Sequence, residues 1–429
     1  MKVAVIGAGW AGCASAVEAA RCGHTVTLFE ASRTAGGRAR RVDAVLKDQP
    51  ISLDNGQHIL IGAYSETLRL MVDLGVDLDA SLLRMPLAIT FPDGNGLALS
   101  NLPAPLDALA GILRARGWSW GEKLSLLKLA AHWRVSKFRC RSNQSVADVC
   151  KGLAPGIMAS LIEPLCVSAL NTPAERASGQ VFLRVMKDTL FSGTGGSNLL
   201  LPRSDLSALL PDATLAWLRQ NGHEVRLGMR VRGLAPMQGQ KSGWMLQVDV
   251  AGNTVPFDAV ILGCPPQEAA RLVENTQLAC KPWLALTNAL QYEAITTVYA
   301  LADGARLNAP MLALHADDHR PAQFVFDRAQ LGGPPGLLAF VISASTGDSA
   351  SLSARVLAQA ASQLGFDKLQ LVKTVVEKRA TFACTPGLVR PAIDIAPGLL
   401  ACGDYVDGPY PATLEGAVRS GIAAARQLA

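Results

Sequence analysis

Lys2-Val3-Ala4-Val5-Ile6 runs directly into Gly7-Ala8-Gly9-Trp10-Ala11-Gly12, and the reading of this opening decides the fold. The apolar run from Lys2 to Ile6 reads as a short buried strand. Trp10 to Arg21, rich in alanine, reads as a helix, and Thr25 to Phe29 as a second strand ending at Glu30. A G-x-G-x-x-G between strand and helix lets the backbone approach a pyrophosphate. Gly7 makes the turn, Gly9 clears space for phosphate, Gly12 lets helix and strand pack closely, and the helix N-terminus stabilises the anion. Glu30, followed by Ala31, stands where a carboxylate accepts hydrogen bonds from a ribose 2′-hydroxyl, and its charge disfavours a 2′-phosphate. Strand, glycines, helix, strand and acid together specify a dinucleotide site.

Working outward, the chain is 429 residues long, enough for two or three domains with a sizeable core. Hydrophobic residues make up 49% and charged residues 17%, against a usual charged share of about 25%, which favours a protein that handles greasy material. The net charge of +5 is mild, and no basic run is interleaved with aromatics on the scale of a nucleic-acid groove, so nucleic acid is not an expected partner. Nine cysteines without a C-x-x-C pair indicate neither a zinc site nor a disulfide framework, and a reducing, cytoplasmic location is expected. The stretch from Gly152 to Leu170 holds one charge, Glu163, and is about long enough to span a bilayer. Pro155 and Pro164 interrupt it, so it reads as a buried helical region instead.

From about Leu78 to Lys187 the pattern becomes mainly helical, with segments near Pro105 to Arg116, Gly121 to Phe138, Ser145 to Cys150 and Ala174 to Leu190. One helix is expected from Leu206 to Asn221. Strands follow at Glu224 to Leu227, Met229 to Val231, Met245 to Val250 and Ala259 to Leu262. Trp283 to Lys378 mixes strands (Thr296 to Leu301, Leu337 to Ser343) with a helix from Leu352 to Leu364. Ala396 to Ala425 gives a strand, Gly403-Asp404, a proline-rich turn and a closing helix. The nucleotide fold is thus assembled from 1–77, 197–282 and 385–429. A helical domain at 78–196 and an α+β substrate domain at 283–384 interrupt it.

Three further elements carry a resemblance. Arg33-Thr34-Ala35-Gly36-Gly37-Arg38 is similar to the R-x-G-G-R segment of the flavin amine oxidase and phytoene desaturase superfamily, where the glycines and second arginine sit against flavin and diphosphate. Gly403-Asp404 with Ala412-Thr413-Leu414-Glu415-Gly416 resembles the superfamily's last flavin element, and Gly228-Met229-Arg230-Val231 the strand whose valine backbone reads adenine. Physically, paired glycines admit close backbone approach and Arg38 offers a fork of donors suited to phosphate. The resemblance implies FAD as cofactor and an α/β, Rossmann-like, three-layer fold with an interleaved α+β substrate domain and a helical insertion.

Within the superfamily, Leu53-Asp54-Asn55-Gly56-Gln57-His58-Ile59-Leu60-Ile61-Gly62 looks like the segment passing beside the flavin ring in the hydroxysqualene dehydroxylase branch. Asn171-Thr172-Pro173 with Ala177-Ser178, Phe191, Ser197 to Arg203 and Asp205-Leu206-Ser207 are similar to strings of the same branch. That branch implies loss of the hydroxyl of hydroxysqualene, an apolar C30 isoprenoid, with hydride delivery from reduced FAD to give squalene in bacterial hopanoid or isoprenoid synthesis. It also implies contact with squalene-pathway enzymes. Such chemistry needs a proton donor. His58 is the first candidate, because imidazole can be protonated near neutral pH; Glu163, Asp54 and Glu415 are reserves, because burial raises a carboxyl pKa. Asn55, Gly56 and Gln57 are expected to line the cofactor with His58. Two other readings stay open: a desaturase or amine oxidase that oxidises its substrate, and a non-catalytic flavin-bearing prenyl-lipid carrier. Finally, Trp118-Ser119-Trp120 lies among Arg114, Arg116, Lys123, Lys128, Arg134, Lys137, Arg139 and Arg141. It reads either as a helix pair lying peripherally on an anionic membrane surface or as an amphipathic helix with a solvated basic face.

Overall fold

The computed structural model describes residues 1–103, 105–191, 195–237, 243–248, 252–276 and 278–429, and of Leu190 and Phe191 the backbone alone. The opening strand, Lys2–Ile6, is central in a six-stranded sheet. Thr25–Glu30 and then Glu224–Leu227 lie on one side of it; Ala259–Leu262, Leu399–Ala401 and the antiparallel edge Asp394–Ala396 lie on the other. Both faces of the sheet are covered. Val3, Val5, Val26 and Leu28 pack beneath the helices Trp10–Arg21 and Leu414–Arg426. Ala4, Ile6 and Phe29 face the antiparallel meander Gly233–Pro236, Trp244–Gln247 and Thr254–Phe257. There the Phe29 and Phe257 rings meet edge-on at 5.9 Å. Helices, sheet and meander make the three expected layers.

A second sheet is wholly antiparallel, in the order Met311–Ala313, Phe324–Asp327, Leu337–Ser343, Tyr292–Leu301, Gln370–Phe382. One face holds Val298, Ala300, Leu338 and Phe340 against the helix Ser349–Leu364. The other carries Tyr299 and Ala339 into the core shared with the first sheet. This sheet is the α+β part anticipated from the sequence, with Leu337–Ser343 where expected and the strand expected from Thr296 beginning earlier, at Tyr292.

The helical insertion is present as Leu106–Arg114, Trp120–Val135, Val146–Val149 and Gly179–Phe191. The apolar stretch near Glu163 is also helical and interrupted, with Pro155–Ile157, a π-turn at Met158–Ile162 and Glu163–Leu170. Among the described residues no helix is long and apolar enough to cross a membrane.

Several elements differ from expectation. Residues 82–98 form short strands, not helix: Leu82–Met85 pairs with Leu199–Pro202, and Ala88–Thr90 with Gly96–Ala98. Strands of three or four residues are too brief to show a period. The expected helix from Leu206 to Asn221 is two, Leu206–Leu209 and Pro211–Gln220. Pro211 has no N–H to continue the first helix and instead opens the second. Met229 to Val231 is not a strand. Gly228 and Met229 donate sideways to the carbonyls of Ser32 and Glu30, which diverts the chain toward the meander. Asp249 and Val250, placed in a strand by the sequence reading, lie outside the described residues, as does the side chain of Phe191.

Candidate functional site

The glycines of the opening loop have separable tasks. A Cβ on Gly7, whose φ is +106°, would sit 2.7 Å from the Gly263 carbonyl oxygen. One on Gly12 would sit 1.8 Å from the Gly7 oxygen, so helix and strand cross at backbone contact. Gly9 differs: the nearest atom to its Cβ would be the Gly37 Cα, at 3.9 Å, so nothing in the protein fills that space. The helix beginning at Trp10 has no side-chain cap and no acid in its first turn. Its N-terminal amides are therefore left for an anion. A Cβ-sized void and an uncapped helix end are what a diphosphate needs.

The second glycine pair is laid onto the first. Gly36 donates to the Ala8 carbonyl at 2.8 Å, and Gly36 and Gly37 both take positive φ, +115° and +61°. Trp10 Nε1 donates to the Ala39 carbonyl at 3.0 Å, and Ala11 is buried behind it. Gly263, which the sequence reading passed over, completes the joint, since its Cβ would lie 2.8 Å from the Gly12 Cα. Its signal was a glycine ending the buried strand Ala259–Leu262.

Glu30 is clamped by backbone: its two oxygens accept from the Ala8 and Ser32 amides, each at 2.8 Å, with exposed Ala31 between. Each oxygen keeps a lone pair for a hydroxyl. Val231 is 2% exposed, and its carbonyl accepts from Arg271 at 3.3 Å. Its N–H has no partner among the described residues, an orphan that an adenine ring nitrogen would satisfy.

Residues from the two sheets and the closing segment then converge on the segment from Arg38 to His58. Arg38 donates to the Ala380 carbonyl at 2.7 Å and to Asp404. Burial opposes its charge, but Asp404 and Glu377 more than offset that and raise its pKa. The Asn55 amide bridges the Arg38 carbonyl and Glu377, each at 3.1 Å. Gln57 donates to the Tyr299 hydroxyl at 2.8 Å and accepts from buried Arg328 at 2.9 Å, while Tyr299 donates to the Asp54 carbonyl at 2.8 Å. Gly56 turns at φ +128° with its missing Cβ facing His58 and Thr297. Tyr299, Arg328 and Glu377 were not singled out from the sequence, since each is one polar residue in an ordinary strand or strand end.

The last element closes the frame. Gly403 lies so near the Tyr405 ring that a Cβ would be 2.5 Å from it, and the main-chain carbonyl of the 7% exposed Asp404 accepts from the Ala412 amide at 3.2 Å. Thr413 caps the closing helix through the Gly416 amide at 3.0 Å, with Leu414 as its first residue.

The proton-donor candidates separate on geometry. His58 Nδ1 lies 3.2 Å from the Gly56 carbonyl. Burial pushes its pKa down, the Gly56 bond opposes this, and the charge on Arg38 lowers it further. The shift favours the neutral imidazole, which weakens the case for His58 as the acid. Asp54 is 3% exposed and accepts the Leu206 amide at 2.8 Å; burial pushes its pKa up to about 6. Glu163 is half-buried and accepts the Ala174 amide at 3.1 Å, and burial together with Glu175 raises its pKa. Glu415, fully buried, takes the Glu66 and Thr67 amides, the Thr67 hydroxyl and Arg419. It staples two helix N-termini together and has no role to spare.

The branch-like strings serve as junctions. The Asn171 side chain bonds the Ala344 amide at 2.7 Å and the Thr381 hydroxyl at 3.0 Å, and Ser178 donates to the Cys384 carbonyl at 2.7 Å. Together they fasten the helical insertion to the antiparallel sheet. Asp205 caps the helix Leu206–Leu209 and pairs with Arg41.

The profile of the flavin containing amine oxidoreductases matches residues 10–429. The chain belongs to that family. Its cofactor is FAD, and the chain is an FAD-dependent oxidoreductase. It is 29% identical to hydroxysqualene dehydroxylase of Rhodopseudomonas palustris, over 99% of this chain and 97% of that protein. It is 25% identical to hydroxysqualene dehydroxylase of Sinorhizobium fredii, over 99% and 97%. Among solved structures, an oxidoreductase from Methanosarcina mazei superposes with a TM-score of 0.73 at 17% identity, covering 100% of both chains. That likeness fixes the fold of this family member.

Proposed function

We infer that the chain catalyses the FAD-dependent reduction of hydroxysqualene to squalene. The observation that carries this reading is the end-to-end similarity to proteins named hydroxysqualene dehydroxylase, which extends through the helical insertion and the antiparallel sheet as well as the nucleotide frame. Oxidation of an amine or desaturation of an apolar substrate, and a carrier role without chemistry, are not favoured by those relatives.

The reaction replaces a C–O bond by a C–H bond. One proton leaves with the hydroxyl as water and one hydride arrives at carbon, so the alcohol is reduced as the donor is oxidised. Reduced FAD supplies that hydride when bound. The chain's own share is to present a proton to the hydroxyl and to exclude water from the allylic cation left behind.

Of the candidates, Glu163 suits the proton's role best. Burial raises its pKa, which favours the protonated form relative to an exposed carboxylate, and it follows a π-turn, a distortion common at functional sites. Asp54, sealed beneath Leu206, and His58, whose pKa burial lowers, suit it less. Hydroxysqualene, a C30 alcohol that is almost wholly apolar, partitions into bilayers, so on this reading the enzyme meets its substrate at a membrane surface, near the enzymes that supply it.

Incubation of purified protein with hydroxysqualene and reduced FAD should give squalene by mass spectrometry. Absence of squalene, with hydrogen peroxide released from amines instead, would contradict the reading. Glu163→Gln keeps an acceptor for Ala174 but cannot protonate a leaving group. It should lower turnover by about 10²-fold or more with flavin content unchanged. Wild-type activity should fall as pH rises through the raised Glu163 pKa; an E163Q variant with wild-type turnover and pH profile would remove Glu163 from the mechanism.

A further inference from the structure

The helices Leu106–Arg114 and Trp120–Val135 each have two apolar faces, and one of the two is already occupied. On the longer helix, Leu126 and Trp133 point inward; the Trp133 ring meets Phe182 edge-on at 6.1 Å and its Nε1 donates to the Val149 carbonyl at 3.1 Å. On the shorter, Ile112 is buried. The outward faces are apolar as well. Leu106, Leu109 and Leu113, spaced by three and four, form one exposed stripe; Trp120, Leu124 and Val135 form a second. Trp120 is 73% exposed and Leu124 52%. Seven of the thirteen large apolar side chains exposed among the described residues fall between Leu102 and Val135.

The stripes adjoin. Lys123, itself buried, donates to the Leu113 carbonyl at 2.9 Å while lying 5.0 Å from the centre of the Trp120 ring, so the end of one stripe meets the start of the other. The patch is bordered by positive charge. Residues 102–141 hold eight Lys and Arg and two acids, a net +6 in a chain whose total is +5. Arg114, Arg116, Lys128, Lys137, Arg139 and Arg141 are exposed around it.

We propose that this pair of helices is the surface by which the enzyme docks on an anionic lipid bilayer, the leucines and Trp120 entering the acyl boundary and the basic rim meeting headgroup phosphates. The charge selects this occupant. A second copy placed face to face would oppose two +6 surfaces, whereas an anionic leaflet neutralises one. The proposal rests on the functional reading only in that a bilayer-dissolved substrate gives docking its purpose.

Flotation of the flavin-loaded enzyme with vesicles tests it without any substrate. The enzyme should float with phosphatidylglycerol-containing vesicles, less with phosphatidylcholine alone, and less again at high salt. The combined change Leu109→Ser, Leu113→Ser and Trp120→Ser should lower the partition coefficient at least about tenfold. Circular dichroism, flavin absorbance and turnover of detergent-dispersed substrate should stay unchanged. Arg114→Glu with Lys128→Glu, which leaves the apolar stripe intact, should abolish the preference for anionic vesicles. Protein that stays at the bottom with both vesicle types overturns the proposal, as do variants that float like wild type. A wild-type dimer that the triple variant dissociates, with neither protein floating, would make the face a contact between copies. Flotation without squalene formation would leave the docking surface standing and overturn the functional reading instead.

Discussion

Two sheets grip the segment between Gly36 and His58, which folds as the hairpin Arg41–Leu46 and Gln49–Asp54, and they do so by different means. The parallel sheet works through backbone: Gly7, Gly12 and Gly263 touch one another main chain to main chain, and Gly36 donates to Ala8. The antiparallel sheet works through side chains: Tyr299, Arg328 and Glu377 reach Asp54, Gln57 and Asn55. A backbone joint tolerates no added atom, so it leaves a motif that can be read in sequence. A side-chain network can be satisfied by many residue choices, and it leaves little trace.

The sharpest way to break this contrast is within the glycine loop itself. Gly12→Ala places a methyl 1.8 Å from a carbonyl oxygen. Its soluble yield should collapse, and any protein recovered should lack flavin. Gly9→Ala should fold with a melting temperature close to that of wild-type apoprotein, because its methyl meets only Gly37 at 3.9 Å, yet lose FAD. Calorimetry of the two apoproteins with and without FAD separates the cases. A G9A variant that keeps full flavin content would show that the void is not the phosphate site.

A smaller effect is expected on the side-chain half. Burial raises the Asp54 pKa from 3.8 to about 6, so the fold prefers the protonated acid. Asp54's contribution to stability is therefore fully present below pH 3.8 and is lost as pH rises through about 6. Wild type should lose up to roughly 3 kcal/mol across that window, at about 1.4 kcal/mol per pKa unit. Asp54→Asn, which still offers an oxygen to Leu206, should be nearly flat over the same range. Urea midpoints between pH 4 and pH 7 measure the difference, and parallel curves for the two proteins would deny Asp54 its buried, strained state.

The nucleotide frame was legible because glycine spacing, strand ends and acids are set by covalent geometry and by an invariant ligand shape. Gly403-Asp404 and Arg38 stood out as motifs for the same reason, but that they pair with each other was supplied only by the fold. The split at Pro211 shows a local signal overlooked: the proline was visible, but the apolar period ran through it. The strand Leu82–Met85 shows a signal absent, since its partner Leu199–Pro202 lies more than a hundred residues away, and Ala88–Thr90 and Gly96–Ala98 are too short to show a period. His58 shows the limit for chemistry. Its residue type suggested an acid, but its burial and the charge on Arg38, which only the fold supplies, lower its pKa.

The direction of electron flow is the centre of the account, and one anaerobic mixing experiment addresses it. Enzyme whose flavin has been reduced beforehand is mixed with hydroxysqualene in the absence of oxygen, and the return of the yellow flavin absorbance is followed alongside squalene by mass spectrometry. The flavin should reoxidise as squalene appears, in equal amounts. Flavin that stays colourless until oxygen is admitted, with hydroxysqualene recovered intact, would contradict a reductive dehydroxylase.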